Sequence, residues 1–199
     1  MPGRSLRPFR VKVAQAYRGL GEKGLITGSS GNVSLRVGEV LLITPTGVPW
    51  ERLRARAIVA LDLEGRVRGR GFPSSEWRLH VAIYRARPEV RAVVHTHSPC
   101  ATAVACASRA LPVLHDEGRM LFGEAIPVAE AAPPGTWELA RNAAAALGSG
   151  PAVLLARHGV VTVGETLASA LLRAEKAEEA ARLLLVRSAL AWPPSFQLP

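Results

Sequence analysis

The sequence predicts an α/β protein whose strands pair mainly antiparallel. Short runs rich in Val, Ile and Leu alternate with longer segments of helical spacing. Several of these runs are joined by turns of two or three residues, too short for a parallel crossover. A chain of 199 residues, 48% of them hydrophobic, can bury a full core as one domain and is too apolar to be disordered.

The elements follow in order. Residues 6–23 place Val11, Val13, Ala14, Ala16, Tyr17 and Leu20 at helical spacing, and Gly21 and Gly24 mark the stop. Thr27-Gly28-Ser29-Ser30-Gly31-Asn32 is a donor-rich turn. It suits an oxyanion, and equally any tight turn before a strand. No nucleotide-binding glycine spacing is present. Residues 33–37 and 40–44 predict a hairpin about Gly38-Glu39, ending in a second donor-rich turn, Thr44-Pro45-Thr46-Gly47. Strands are expected at 58–63 and near Val67.

Pro73-Ser74-Ser75-Glu76 predicts a helix start, with serine as N-cap and Glu76 in the first turn, where a phosphate could also dock. His80 shares a helix face with Glu76, as a packed histidine or as a ligand. Pro88 ends that helix. A small-residue helix over 99–108 is expected to bury Cys100 and Cys106, with Cys100 close enough to His97 to be a further ligand. A strand at 111–114, a loop at 115–118 and a strand at 125–129 follow. Thr136 caps a helix to Leu147. Strands at 152–156 and 160–163 flank Arg157-His158-Gly159, and a long helix covers 165–191. The proline-rich tail 192–199 cannot continue it.

The formal charge of +9 comes from 25 basic and 16 acidic side chains. Only Lys12, Lys23 and Lys176 are lysine; the other basic residues are arginine, concentrated at the N-terminus, at 52–56 and at 66–70. Aromatic residues are few and do not interleave with them, so no stacking platform for nucleic acid is evident. An anionic small molecule such as a sugar phosphate suits this field better. No apolar run reaches membrane-spanning length, the basic N-terminal stretch has no hydrophobic run behind it, and two cysteines make no disulfide framework. A cytoplasmic protein with no membrane partner is expected.

The strongest chemical signal is Val93-Val94-His95-Thr96-His97. Residues i and i+2 leave a strand on one face, so the two imidazoles can converge on a metal or simply share a polar face. His158, beside Gly159 between two apolar runs, suits a third ligand or a turn.

Taken together, Gly31-Asn32-Val33-Ser34, Ile43-Thr44-Pro45-Thr46-Gly47, Pro73-Ser74-Ser75-Glu76, His95-Thr96-His97 and His158-Gly159 resemble, in order, the motifs of the class II zinc aldolase/adducin family. The resemblance covers almost the whole chain and implies a three-layer α/β/α domain around a mainly antiparallel sheet, assembled as a homotetramer. It implies one Zn2+ per subunit on His95, His97 and His158, with Glu76 as general acid/base and as a further ligand of the resting metal. Gly31, Asn32, Thr46, Gly47, Ser74 and Ser75 fall at phosphate-binding positions. The implied reaction is cleavage of a small ketose 1-phosphate to dihydroxyacetone phosphate and an aldehyde.

That chemistry is self-consistent. No Schiff-base lysine stands out among the three lysines, so a metal is the more economical stabiliser of an enediolate. Within the family, the epimerases usually carry aspartate where Glu76 stands, the methylthioribulose-phosphate dehydratases have similar zinc and phosphate motifs, and the adducin branch lacks the metal and acid residues. Two tyrosines expected of the aldolases are absent: Asp116 follows His115, and the only tyrosines are Tyr17 and Tyr84. These departures bear on the aldehyde half of the substrate and leave the metal and phosphate positions untouched.

Overall fold

The computed structural model describes residues 5–190, so the proline-rich tail at 192–199 lies outside the described residues. Helix α1 (Arg7–Glu22) leads into the hairpin β1 (Asn32–Val37) and β2 (Val40–Ile43). Two 3-10 turns, Trp50–Arg52 and Ala55–Ala57, precede β3 (Val59–Leu61). Then come α2 (Trp77–Ala86), β4 (Ala92–Thr96), α3 (Pro99–Cys106), β5 (Leu111–Pro112), α4 (Asp116–Phe122), β6 (Ala125–Ile126) and β7 (Val128–Ala129). Helix α5 (Trp137–Leu147), β8 (Ala152–Leu155), β9 (Gly159–Gly164) and α6 (Leu167–Ala189) complete it.

Seven strands form one sheet in the order β3-β2-β1-β4-β9-β8-β7, and β5 pairs with β6 separately. Every neighbour in the large sheet is antiparallel except β7 and β8. The alternation of side chains sorts the core into two sides. Leu41, Ile43, Val93, Val153 and Val161 pack under α2 and α5. Val33, Leu35, Leu42 and Val94 face α1 and the first half of α6, while Leu154 and Val160 face α3 and the second half of α6. This is the expected three-layer α/β/α arrangement, each large aliphatic side chain contributing about 1.5–3 kcal/mol by leaving water.

Five local expectations are corrected. Residues 115–118 are not a loop: Asp116 and Glu117 form the first turn of α4, where their charge complements the helix dipole. The expected strand at 125–129 is split by Pro127, so Ile126 pairs with Leu111 and Val128 joins β8. Val67 makes only an isolated bridge to Leu61, because the Asp62 carboxylate takes the N–H groups of Glu64 and Arg66 and closes a turn. Cys100 is half-buried and Cys106 exposed, so neither is a fully buried hydrophobe. Glu76 is the N-cap residue of α2 rather than part of its first turn, and its side chain makes no capping bond.

One buried acidic side chain joins two helices of the same layer. Glu178 of α6 is 3% exposed, and its carboxylate accepts from the N–H groups of Cys100 (2.9 Å) and Ala101 (2.8 Å). It thereby caps α3, the helix that begins two residues after His97. Glu178→Ala is expected to cost about 2–3 kcal/mol of stability, since two N–H groups lose their acceptor, and Glu178→Gln less. Urea unfolding of the three proteins checks this; equal stability of Glu178→Ala and the parent would remove the capping role.

Candidate metal centre

The sheet order places β1, β4 and β9 side by side, and their register does the rest. Asn32 pairs with His95, and His95 with Val161. His95 points to the α2 side of the sheet with Val93, and His97 follows one residue beyond the strand. His158 sits in the turn between β8 and β9, closed by its N–H to the Leu155 carbonyl (3.0 Å). Arg157, just before it, has φ 60°, a left-handed conformation that arginine adopts only at a cost.

Two glycines permit the close approach. A Cβ at Gly159 would collide with the Thr96 carbonyl and lie 3.1 Å from the His97 ring and 3.3 Å from the His95 ring. Gly31 has φ +68°, and a Cβ there would lie 2.7 Å from the His95 carbonyl oxygen.

The four groups converge. One ligand atom from each of Glu76, His95, His97 and His158 lies within 4.8 Å of all the others. Glu76 Oε2 is 3.0 Å from His95 Nε2, Glu76 Oε1 is 3.4 Å from His158 Nε2, and the Nε2 atoms of His95 and His97 are 2.9 Å apart. His95 Nδ1 donates to the Val160 carbonyl at 3.0 Å, which turns Nε2 toward the centre. Glu76 Oε1 is buried without a hydrogen-bond partner. Three imidazoles and a carboxylate aimed at one point are a donor set for a divalent cation of the zinc kind, and the unsatisfied oxygen is what such an ion would relieve. Neither Cys100 nor His80 belongs to this group.

His80 does something else. It is fully buried, with Nδ1 2.6 Å from Ser34 Oγ and Nε2 bonded to Asn32 Oδ1. Asn32 Nδ2 in turn donates to Glu76 Oε2 at 3.1 Å. Because Glu76 accepts, the direction is set along the relay: Ser34 O–H donates to His80, His80 Nε2–H to Asn32, and Asn32 to Glu76. Tyr84 O–H closes the far end, 2.9 Å from Ser34. Sequence reading missed Ser34 and Tyr84 and left His80 open, although the signal was there. Residues 76, 80 and 84 share a helix face, and 32 and 34 share a strand face.

The remaining site positions lie on three loops laced together. Ser74 N–H donates to the Thr44 carbonyl (2.9 Å), and Thr46 N–H to the Phe72 carbonyl (3.2 Å). Gly31 leads into β1, which Asn32 begins, beside them. Ser74 is buried and its Oγ accepts from Glu76 N–H (3.3 Å), while Thr46, Gly47 and Ser75 are exposed. Among the described residues, the hydroxyls of Thr46 and Ser75 and the N–H groups of Gly47 and Ser75 have no partner. Asn32 is 2% exposed, and both ends of its amide are already engaged.

Charge follows from this packing. Burial pushes the Glu76 carboxyl up, but His95, His158 and the Asn32 amide pull it far below the ordinary carboxylate range. His95 is pushed down by burial and raised above its ordinary value by Glu76. Burial and the charge of His95 lower His97 to about 4 and depress His158. The cluster therefore favours an ionised Glu76 against His95 and disfavours charge on His97 and His158; a bound cation would compete with protons for these nitrogens.

Burial also lowers His80 to about 3. Between its ordinary value of 6.5 and about 3, the unfolded metal-free chain takes up a proton that the folded chain refuses, so stability falls as pH falls. Glu76 adds to the loss below its ordinary 4.5, and His95 acts oppositely, its contribution fading as pH rises through its raised value. From pH 6 to 4, the stability of the metal-free parent should fall about 1.4 kcal/mol per pH unit more steeply than that of His80→Gln. Denaturant unfolding across that range measures both slopes, and equal slopes would show that His80 is not neutral in the fold.

Comparison with known proteins agrees with this geometry. The chain is 44% identical over 181 residues to the 5-methylthioribulose-1-phosphate/5-deoxyribulose-1-phosphate aldolase of Rhodospirillum rubrum, covering 91% of this chain and 81% of that one. It is 41% identical over 170 residues to the L-fuculose phosphate aldolase of Escherichia coli K12, covering 85% and 79%. The crystal structure of the L-fuculose-1-phosphate aldolase from Thermus thermophilus superposes with a TM-score of 0.84 at 32% identity, covering 93% of this chain and 98% of that one. The family model for the class II aldolase and adducin N-terminal domain matches residues 11–185. The chain belongs to the class II aldolase family and is an aldolase, a lyase.

Proposed function

We propose that this chain cleaves a small ketose 1-phosphate to dihydroxyacetone phosphate and an aldehyde, with one zinc ion held by His95, His97 and His158 and, at rest, by Glu76. L-Fuculose 1-phosphate, 5-deoxyribulose 1-phosphate and 5-methylthioribulose 1-phosphate are the candidate substrates, by likeness to the relatives named for them. The observation that carries the reading is the convergence of one carboxylate and three imidazoles on one point.

When bound there, the ion supplies a Lewis acid that stabilises negative charge on the substrate oxygens. The protein's own part is positioning and proton movement. Breaking the bond between carbons 3 and 4 turns the carbon-4 hydroxyl into the aldehyde carbonyl with loss of its proton, and leaves an electron pair on carbon 3, which must gain a proton. Glu76 is the group placed to carry it, and the Asn32–His80–Ser34 relay holds its carboxylate in one orientation. The open donors of Thr46, Gly47 and Ser75 hold the phosphate, with Gly31 and Ser74 shaping the loops around it. Asn32 stands at the rim of that site while its amide serves Glu76.

A homotetramer in the cytoplasm belongs to the same proposal. Leu172, Leu183 and Val186 of α6 and Leu190 at its C-cap are 40–57% exposed and Met120 of α4 is 87% exposed, an apolar surface suited to self-association. Both cysteines are free thiols, in keeping with a reducing compartment. No helix among the described residues is long and apolar enough to cross a membrane.

Two measurements test the division of labour. Glu76→Gln should keep its zinc and lose turnover by about 10³-fold, the scale of a missing general acid/base, whereas His97→Ala should lose zinc itself. Zinc content by mass spectrometry together with turnover separates the two; an active Glu76→Gln would remove Glu76 as the proton carrier. The second is release of dihydroxyacetone phosphate from each of the three candidate substrates, abolished by chelator and restored by zinc. Water loss from 5-methylthioribulose 1-phosphate with no dihydroxyacetone phosphate from any of them would make the chain a dehydratase.

A further inference from the structure

A second set of metal-ligating side chains stands between α4 and α6. His115 and Glu117 at the start of α4 and Glu179 of α6 each bring one ligand atom within 4.8 Å of the other two. The set shares no residue with the metal centre, and the proposed cleavage does not call on it. Val113 and Phe122, before and after it in the chain, pack with Leu154 and Val160 on one face of the sheet. Val93, on the His95 side, packs under α2 on the other.

His115 separates this set from an ordinary surface cluster of acids. It is the N-cap residue of α4, yet its side chain makes no capping bond. The imidazole instead lies over the first turn, in space that a glycine leaves open. A Cβ at Gly118 would stand 2.5 Å from its Cε1 and 3.0 Å from its Nδ1. Both ring nitrogens are buried there, and neither has a hydrogen-bond partner. A buried polar atom left so costs about 1–3 kcal/mol, which a ligand on one nitrogen relieves. The two carboxylates already converge on a cation. Lys176 Nζ lies 2.9 Å from Glu117 Oε1 and 2.8 Å from Glu179 Oε2. A single ammonium leaves that pair with one negative charge in excess, and it makes no bond to the imidazole. A divalent ion balances both carboxylates and gives His115 the partner it lacks. The side chains of Glu117 and Glu179 are 62% and 44% exposed, free to swing onto an ion, while Lys176 withdraws to solvent on its long stem. One imidazole with two carboxylates suits zinc or a neighbouring first-row ion better than magnesium or calcium.

We propose that His115, Glu117 and Glu179 form a second divalent-metal site, which takes zinc by displacing the Lys176 ammonium. Calorimetric titration of the full chain with zinc chloride tests it. One equivalent should be lost in His115→Ala and kept in His97→Ala. Because His115→Ala also removes a packed ring, Glu117→Gln/Glu179→Gln supplies a second variant that leaves the imidazole in place. It should weaken the same equivalent at least about tenfold, the scale on which losing even an indirect partner acts on metal affinity. Lys176→Met removes the competing cation and should tighten that equivalent at least about threefold. Glu39→Gln/Glu89→Gln takes the same charge from exposed acids elsewhere and should change it less than about twofold. A chain whose every zinc equivalent survives His115→Ala overturns the proposal. Equal weakening by the two glutamate doubles, or magnesium chloride binding as tightly as zinc, would reduce the set to a general acidic surface and overturn it too. The titration reads binding alone, and the metal centre is followed separately through His97→Ala, so failure here leaves the aldolase reading standing.

Discussion

An ionised carboxylate in a nearly dry pocket is the constraint on which the rest of the site depends. Glu76 is 6% exposed, and burial alone would protonate it. Two kinds of partner prevent this. The His95 and His158 imidazoles face it at 3.0 and 3.4 Å, and Asn32 donates to it from the strand beside His95. A carboxylate at a helix N-cap would ordinarily bond its own helix. Here the Glu76 side chain makes no capping bond and faces the imidazoles, while its own N–H donates to the Ser74 hydroxyl.

The sheet order exists in service of that convergence. Glu76 arrives from the start of α2, His95 and His97 from β4, and His158 from the turn before β9, so the strands bearing them must be neighbours. The antiparallel register brings Asn32 opposite His95, and the packing of α2 over the same face lays His80 and Tyr84 against Ser34. Close approach then becomes the limiting condition. Gly31 and Gly159 lie where any side chain would strike the backbone of β4. An alanine at Gly159 would push apart the very strands whose spacing positions the histidines.

Much of this was legible in the sequence because the relevant signals are local. The hairpin about Gly38, the Thr136 cap and the i, i+2 spacing of His95 and His97 each follow from a few adjacent residues, and each is present in the structure. The site's second layer was harder to see. Ser34, His80 and Tyr84 read as ordinary strand and helix residues until α2 is laid across β1, a contact spanning about fifty positions. Glu178 was hidden in the same way, since an acidic residue on a long amphipathic helix reads as solvated. Only the fold shows it capping α3. The division of 125–129 turned on Pro127 alone, and the turn at Asp62 on one carboxylate outbidding a neighbouring strand for two N–H groups.

The groups are also sorted by rigidity. His95 lies within a strand, Glu76 is locked into a buried relay, and His97 and His158 stand at strand ends. The candidate phosphate donors at Thr46, Gly47 and Ser75, by contrast, lie on exposed loops. A separate cleft of about 420 Å3 beside His158 is lined by Ala131, Ala132, Pro133, Pro134 and Arg157, again from loops. Loops tolerate substitution at little cost to the core, while a shift of the strands would disturb all four converging donors together. Under the proposed reaction, such an architecture would let the proton chemistry stay constant while the ends of the substrate are recognised by interchangeable segments. Relatives named for different sugar phosphates at 44% and 41% identity are what that separation leads one to expect.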